Sequence, residues 1–174
     1  ENETSTSFVV DSWYKKSLWL YLLYPFSLIF SFITNRRRKN FLNNNYESFK
    51  SDIPIIVVGN LTIGGTGKTP LVKHIAIELI KRGYKPGIVS RGYGGKFKET
   101  LQVTEDTPVK NTGDEAQILA KLNVPFYIDK NRVRAVKTII KNHNCDVIIS
   151  DDGLQHYAMG RDIEIAVIDG KRRF

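Results

Sequence analysis

Gly64-Gly65-Thr66-Gly67-Lys68-Thr69 have the types and spacing to grip a phosphate chain. Glycines let backbone N–H groups curl around phosphate oxygens. The stretch follows an apolar run at 53–58 and precedes a helical pattern over 70–82, so the positive end of a helix would face the same anion. Lys68 would reach the β- and γ-phosphates, and the Thr69 hydroxyl would ligate magnesium. The full G-x-x-x-x-G-K-[ST] pattern asks for glycine at position 62, where this chain has Thr62. A glycine-rich turn without a ligand would not need Lys and Thr directly behind its last glycine. The expected nucleotide-binding set is therefore Thr62, Ile63, Gly64, Gly65, Thr66, Gly67, Lys68 and Thr69.

Three further constellations could complete such a site. Asp151-Asp152 follow an apolar run at 146–150. An acid at the end of such a strand holds magnesium directly or through water; the bland alternative is a solvated turn, since Asp-Asp-Gly is also good turn chemistry. Gly113-Asp114-Glu115 open a helical pattern. Asp114 is there either as a cap, or as a general base taking a proton from an attacking hydroxyl, or as a further metal ligand. Ser90-Arg91-Gly92-Tyr93-Gly94-Gly95 follow a second apolar run. Their glycines permit close approach to a ligand, Arg91 could clamp a phosphate and Tyr93 could stack on a sugar; the alternative is a flexible surface loop. His74 reads as structural and His143 as lying at a helix end, whereas His156, in Asp152-Gly153-Leu154-Gln155-His156, is near the expected magnesium and could touch substrate. No pair of histidines has metal-ligand spacing. The guanine-recognition pattern N-K-x-D is absent, which favours ATP over GTP.

Alternating strands and helices must position these residues. Apolar runs predict strands at 55–58, 87–90, 126–128, 147–150 and 163–168, with a weak one at 101–103. Periodicity predicts helices at 69–82, 114–122 and 131–142. Near-continuous apolar strands separated by helices imply an α/β fold, a P-loop NTPase-like parallel sheet with helices on both faces. Ligands then gather at the carboxyl ends of the strands.

The chain of 174 residues carries a formal charge of +8, is 41% hydrophobic and has one cysteine, Cys145. It is globular in composition, large enough for a sizeable core and without a disulfide framework of its own. The positive charge points to an anionic partner. Arg36-Arg37-Arg38-Lys39 directly follow an apolar segment, 17–35, that has no charged residue. That favours an anionic membrane surface; without a zinc-finger or RNP-type motif, no nucleic acid partner is expected. The apolar segment is just long enough to span ~30 Å of hydrocarbon. Pro25 near its middle, interspersed Tyr and Ser, and basic flanks on both sides instead favour a kinked helix lying in the interface. Residues 1–16 read as a leader segment, 17–39 as this membrane-associated helix with its basic flank, 40–52 as a linker and 53–174 as the P-loop core. The chain starts at Glu1 and ends at Phe174 just after a strand-like run, so it is expected to be a piece of a longer protein.

These motifs, in this order, resemble one family, tetraacyldisaccharide 4′-kinase, the lipid A disaccharide kinase of Gram-negative bacteria. The resemblance runs from about Trp13 to Phe174. It is carried by Val57-Val58-Gly59-Asn60-Leu61-Thr62 through Pro70, by Ser90-Arg91-Gly92-Tyr93-Gly94-Gly95, by Gly113-Asp114-Glu115, by Asp151-Asp152-Gly153-Leu154-Gln155-His156 and by Val167-Ile168-Asp169-Gly170. Thr62 fits as well, since the family's loop also lacks the first glycine. The resemblance implies ATP-dependent phosphorylation of the 4′-hydroxyl of a tetraacylated glucosamine disaccharide 1-phosphate, giving lipid IV-A. It implies a catalytic domain on the cytoplasmic face of the inner membrane, with the segment 17–33 as the membrane-associated helix. By position, Lys68 would bind ATP phosphates and act in catalysis with Asp114, the match to the family's catalytic aspartate. Thr69, Glu115 and Asp151 or Asp152 would hold magnesium; Ser90, Arg91, Tyr93, Gln155 and His156 would face the substrate. Family members continue into a second lobe that closes over ATP and carries a histidine assisting the aspartate; both would lie beyond Phe174.

Two readings of another class remain open on the residues alone. One is a membrane-associated P-loop ATPase switch without a sugar acceptor, and the other is a nucleotide-binding module without chemistry.

Overall fold

The computed structural model describes residues 23–43, 46, 48–60 and 67–168. The chain forms two compact units, Glu1–Tyr46 and Glu47–Phe174.

The first unit contains one described helix, α1 (Tyr24–Leu42). Pro25 lies in the first turn of this helix, where its missing N–H breaks no helical bond; the chain before it, on which the expected kink depends, lies outside the described residues. The helix then runs through Arg36, Arg37, Arg38 and Lys39 to Leu42, so the basic cluster is part of it. Tyr24, Phe26, Leu28, Ile29, Phe30, Phe32 and Ile33 are exposed along it. Among the described residues no helix is long and apolar enough to cross a membrane. The expected helical residues 17–22 lie outside the described part, as does the leader segment 1–16.

The second unit is a six-stranded sheet between helices. Its strands are β1 (Ile55–Asn60), β2 (Pro86–Ser90), β3 (Leu101–Gln102), β4 (Phe126–Ile128), β5 (Val147–Asp151) and β6 (Ile163–Val167), in the order β3-β4-β2-β5-β1-β6. The helices are α2 (Lys68–Lys81), α3 (Val109–Thr112), α4 (Asp114–Ala120) and α5 (Arg132–Asn142). Five strands run parallel, whereas β3 pairs antiparallel with β4 at the edge. This corrects the all-parallel expectation. The connection from β2 to β3 carries no helix that could form a right-handed crossover, so the short strand returns beside β4.

Alternation along the strands fills two cores. Val58, Ile88, Phe126, Ile128 and Ile149 point to one face, against Val72 and Ala76 of α2 and Ala116, Leu119 and Ala120 of α4. Ile55, Val57, Val89, Tyr127 and Ile148 point to the other, against Ala135, Val136 and Ile139 of α5. The expected two-sided cover is therefore present. Each fully buried Ile, Val or Phe contributes roughly 1.5–3 kcal/mol relative to exposure.

Helix ends follow local chemistry. Asn131 caps α5, its side chain accepting a hydrogen bond from the Arg134 amide at 3.3 Å. The turn leading to α4 is braced from inside the helix: Gln117 Nε2 donates to the Thr107 carbonyl at 2.6 Å and to Thr112 Oγ1 at 3.1 Å. The predicted helix 114–122 is thus shorter, and α3 precedes it as an unpredicted helical turn.

Candidate functional site

Parallel strands bring their carboxyl ends to one edge, where β1, β2 and β5 end in Asn60, Ser90 and Asp151. Val58 of β1 lies in register with Asp151 of β5, and Val89 of β2 with Ser150. Hydrogen-bonded neighbours in the sheet therefore deliver three polar residues to one place.

Lys68, the first residue of α2, occupies the middle of this edge. Its Nζ donates to Asn60 Oδ1 at 2.9 Å and forms an ion pair with Asp152 Oδ1 at 3.0 Å. Gly67 before it has a φ of 79°, and Thr69 after it is buried. The expected nucleotide contacts Thr62, Ile63, Gly64, Gly65 and Thr66 lie outside the described residues.

The two aspartates play different physical parts. Asp151 is 3% exposed. Ser90 Oγ lies 3.5 Å from its Oδ2, and its Oδ1 has no hydrogen-bond partner among the described residues. Burial pushes its carboxyl up to about 6, and the negative charges of Asp152 and Glu115 push the same way against Lys68 and Arg132. Asp152 is exposed and sits in the left-handed region with a φ of 55°, which turns its side chain toward Lys68. A buried carboxylate with an unpartnered oxygen, repelled by two acidic neighbours, is an environment that a divalent cation stabilises. Among the described residues no three His, Cys, Asp or Glu side chains alone could hold a metal.

Asp114 and Glu115 open α4 and are both exposed. Their position is fixed by a close backbone approach. Gly113 has a φ of 82° and a ψ of 161°, and a Cβ there would fall closer than 3.0 Å to the Tyr93 carbonyl oxygen. Gly95 likewise lies against the Asn111 carbonyl. The Lys96 amide donates to the Lys110 carbonyl at 3.1 Å. Gly95 and the Tyr93 carbonyl thus dock the Arg91–Gly95 segment on the turn before Asp114. Tyr93 itself projects outward at 84% exposure, and Arg91 is exposed too. Gln155 is exposed and His156 half-buried in the segment after β5.

One residue of this edge escaped sequence reasoning. Arg132 begins α5, is almost fully buried and donates from Nη2 to the Asp152 carbonyl at 3.0 Å. Its Nε has no partner among the described residues. Burial holds its pKa below the usual range; Asp152 counters this, and the like charge of Arg91 adds to it. The signal was present: a cation in the first turn of a helix opposes the macrodipole, so Arg132 needs another reason to be there. Lys68, Arg91 and Arg132 together give the acidic pair a cationic surround suited to a polyanion.

A model of the family described as LpxK, tetraacyldisaccharide-1-P 4'-kinase, matches residues 19–174. The tetraacyldisaccharide 4'-kinase of Psychromonas ingrahamii is 46% identical over 164 residues, covering 93% of this chain and 51% of that protein. The enzyme of the same name from a Vibrio cholerae O1 strain is 47% identical over 155 residues, covering 88% of this chain and 46% of that one. Among solved structures, the crystal structure of "apo" form LpxK from Aquifex aeolicus in complex with ATP superimposes with a TM-score of 0.78 at 34% identity, covering 87% of this chain and 49% of that chain. The chain spans about half the length of the curated relatives it matches. With its match running almost from end to end, the chain belongs to the tetraacyldisaccharide-1-P 4'-kinase family.

Proposed function

We propose that the protein carrying this chain transfers the γ-phosphoryl group of ATP to the 4′-hydroxyl of a tetraacylated glucosamine disaccharide 1-phosphate, giving lipid IV-A. The observation that carries this reading is the meeting of Lys68 with Asp152, beside buried Asp151, at the carboxyl edge of a sheet whose family is that of a sugar-lipid kinase. The Aquifex aeolicus structure, described in complex with ATP, supports the nucleotide.

In this reading the amides of residues 62–67 and the Lys68 ammonium hold the triphosphate. Thr69, Glu115 and Asp151 or Asp152 would hold magnesium, which supplies counter-charge to the phosphate oxygens when bound. Asp114 orients the sugar hydroxyl and takes its proton. The 4′-oxygen then forms a bond to the γ-phosphorus as the bond to the β,γ-bridging oxygen breaks and ADP leaves. Ser90, Arg91, Tyr93, Gln155 and His156 line the acceptor side. The catalytic core would occupy 53–174, joined by a linker over 40–52 to the membrane-associated segment 17–39. Exposed Phe26, Ile29, Phe30 and Ile33 followed by four cations on α1 support interfacial binding to the cytoplasmic face of the inner membrane.

The test is ATP consumption by the full-length protein with and without the acylated disaccharide 1-phosphate, in wild type and Lys68→Ala. Acceptor-dependent phosphorylation is expected, with Lys68→Ala lowering turnover by roughly a hundredfold or more. Equal ATP hydrolysis without acceptor would favour the ATPase switch instead, and near-normal activity of Lys68→Ala would overturn the site assignment.

A further inference from the structure

The segment between β5 and β6 has neither helix nor strand to shape it, yet it carries Gln155 and His156 directly behind Asp151 and Asp152. Two turn bonds, His156 N to the Gly153 carbonyl at 3.0 Å and Met159 N to the His156 carbonyl at 3.1 Å, are local. Its far end is tied to the chain before β1, where the Phe49 amide donates to the Ala158 carbonyl at 2.8 Å and the Gly160 amide to the Phe49 carbonyl at 2.7 Å. Its near end is anchored by Leu154, which covers Gly59 so closely that a Cβ there would stand 2.6 Å from Leu154 Cγ.

Between these anchors one side chain reaches every turn of the segment. Arg161 Nη1 donates to the Leu154 carbonyl at 3.0 Å, Nη2 to the His156 carbonyl at 2.7 Å and Nε to the Met159 carbonyl at 3.3 Å. Nη1 also pairs with Glu164 Oε1 of β6 at 2.6 Å. The guanidinium carbon lies 5.8 Å from the centre of the Tyr157 ring. The Arg161 side chain is only 12% exposed. A planar fork with five N–H groups can serve three carbonyls and a carboxylate at fixed angles. A lysine ammonium at the same place has three donors on one point and cannot span carbonyls contributed by residues 154, 156 and 159 together.

We infer that Arg161 is a positioning residue: it holds segment 154–159 in one shape and so sets how Gln155 and His156 meet the phosphoryl acceptor. The role in acceptor binding rests on the proposed kinase reading; the stapling does not. The contacts of Arg161 within the segment are to backbone carbonyls, so its effect on Gln155 and His156 passes through the backbone it holds. Leu154 packs on Gly59 through its side chain, whereas Arg161 holds its carbonyl, so the contact with β1 is not itself made by the guanidinium.

The experiment has two arms, each run on the full-length protein with wild type, Arg161→Lys and Glu164→Gln. In amide hydrogen exchange, Arg161→Lys should exchange at 155–160 roughly tenfold faster or more, with α2 and α5 unchanged. In steady-state kinetics, Arg161→Lys should raise the acceptor KM roughly tenfold while kcat and the ATP KM stay within about twofold. Glu164→Gln keeps the three carbonyl contacts and should resemble wild type in both arms, as an exposed ion pair contributes little. General destabilisation would lower the active fraction and move apparent kcat alone. Exchange that is unchanged, or faster everywhere, overturns the staple. An unchanged acceptor KM in Arg161→Lys, where wild type phosphorylates the acceptor, overturns the positioning role. If wild type does not phosphorylate the acceptor at all, the proposed function fails and the exchange arm alone decides whether Arg161 holds the segment.

Discussion

Replacing Gly113 by alanine tests whether Asp114 is held by the backbone contact behind it. Gly113 has a φ of 82° and a ψ of 161°, a combination open almost only to glycine and costing other residues about 1–3 kcal/mol. A methyl group there also meets the Tyr93 carbonyl oxygen at closer than 3.0 Å, and that atom is backbone, with no rotamer to escape into. Overpacking of this kind costs about 1–3 kcal/mol more. The sum is about 4 kcal/mol. Gly94 supplies an internal control from the same loop. Its φ is 79°, yet a Cβ there meets nothing within 4 Å, so Gly94→Ala should cost only the left-handed penalty of about 1–2 kcal/mol. For a chain of this size a kcal/mol moves the melting temperature by about 2–4 °C. Gly113→Ala should therefore melt about 8–16 °C below wild type, and Gly94→Ala about 2–8 °C below. Thermal melts by circular dichroism, repeated in urea, measure both. If the two variants melt within about 2 °C of each other, the close approach has no energetic consequence and the account of how Asp114 is placed is wrong.

Two other perturbations address the acidic and basic halves of the site. Asp151 keeps its proton in the folded chain up to about pH 6, against 3.8 for an unperturbed carboxyl. The native state thus binds more protons than the unfolded chain between these values, and stability should fall by up to about 3 kcal/mol as pH rises through that window, then level off. Asp151→Asn cannot ionise and should lose this part of the slope; urea titrations at several pH values that give parallel curves for the two proteins would contradict the burial argument. Arg132→Met should weaken nucleotide binding roughly tenfold, because a buried cation and the support of the Asp152 carbonyl disappear together. Calorimetry showing wild-type affinity in a folded Arg132→Met protein would remove Arg132 from the site.

Much of the fold could be read before any coordinates, for a simple reason. Strands covered on both faces are continuous apolar runs, and 55–58, 126–128 and 147–150 are such runs. Where tertiary contacts decide, the reading slipped. The two residues of β3 have no pattern of their own, and their antiparallel course depends on pairing Leu101 with Ile128 and Gln102 with Tyr127. Pro25 sits near the middle of the apolar segment and in the first turn of α1, a natural place for proline that sequence alone does not mark. For the site, Lys68 and the paired aspartates announce themselves by spacing. Arg132 and Arg161 do not, because each acts on backbone carbonyls, and a carbonyl leaves no mark in the sequence.

The glycines show a contact that spacing alone does not reveal. Gly92, Gly94 and Gly95 next to Arg91 suggest a loop thinned to admit a ligand. In the fold, Gly95 packs on Asn111 and the Tyr93 carbonyl packs on Gly113. Two motifs distant in the chain are thus halves of one contact, made directly before the start of α4 at Asp114. The same logic joins Gly59 to Leu154, where a missing side chain on β1 makes room for the segment behind Asp152. At the first place glycine lets two stretches of backbone approach each other, and at the second it makes room for the Leu154 side chain. A substitution there should disturb the geometry of the neighbouring acids before it disturbs any ligand, which is why stability and acceptor kinetics, measured together, separate the two roles.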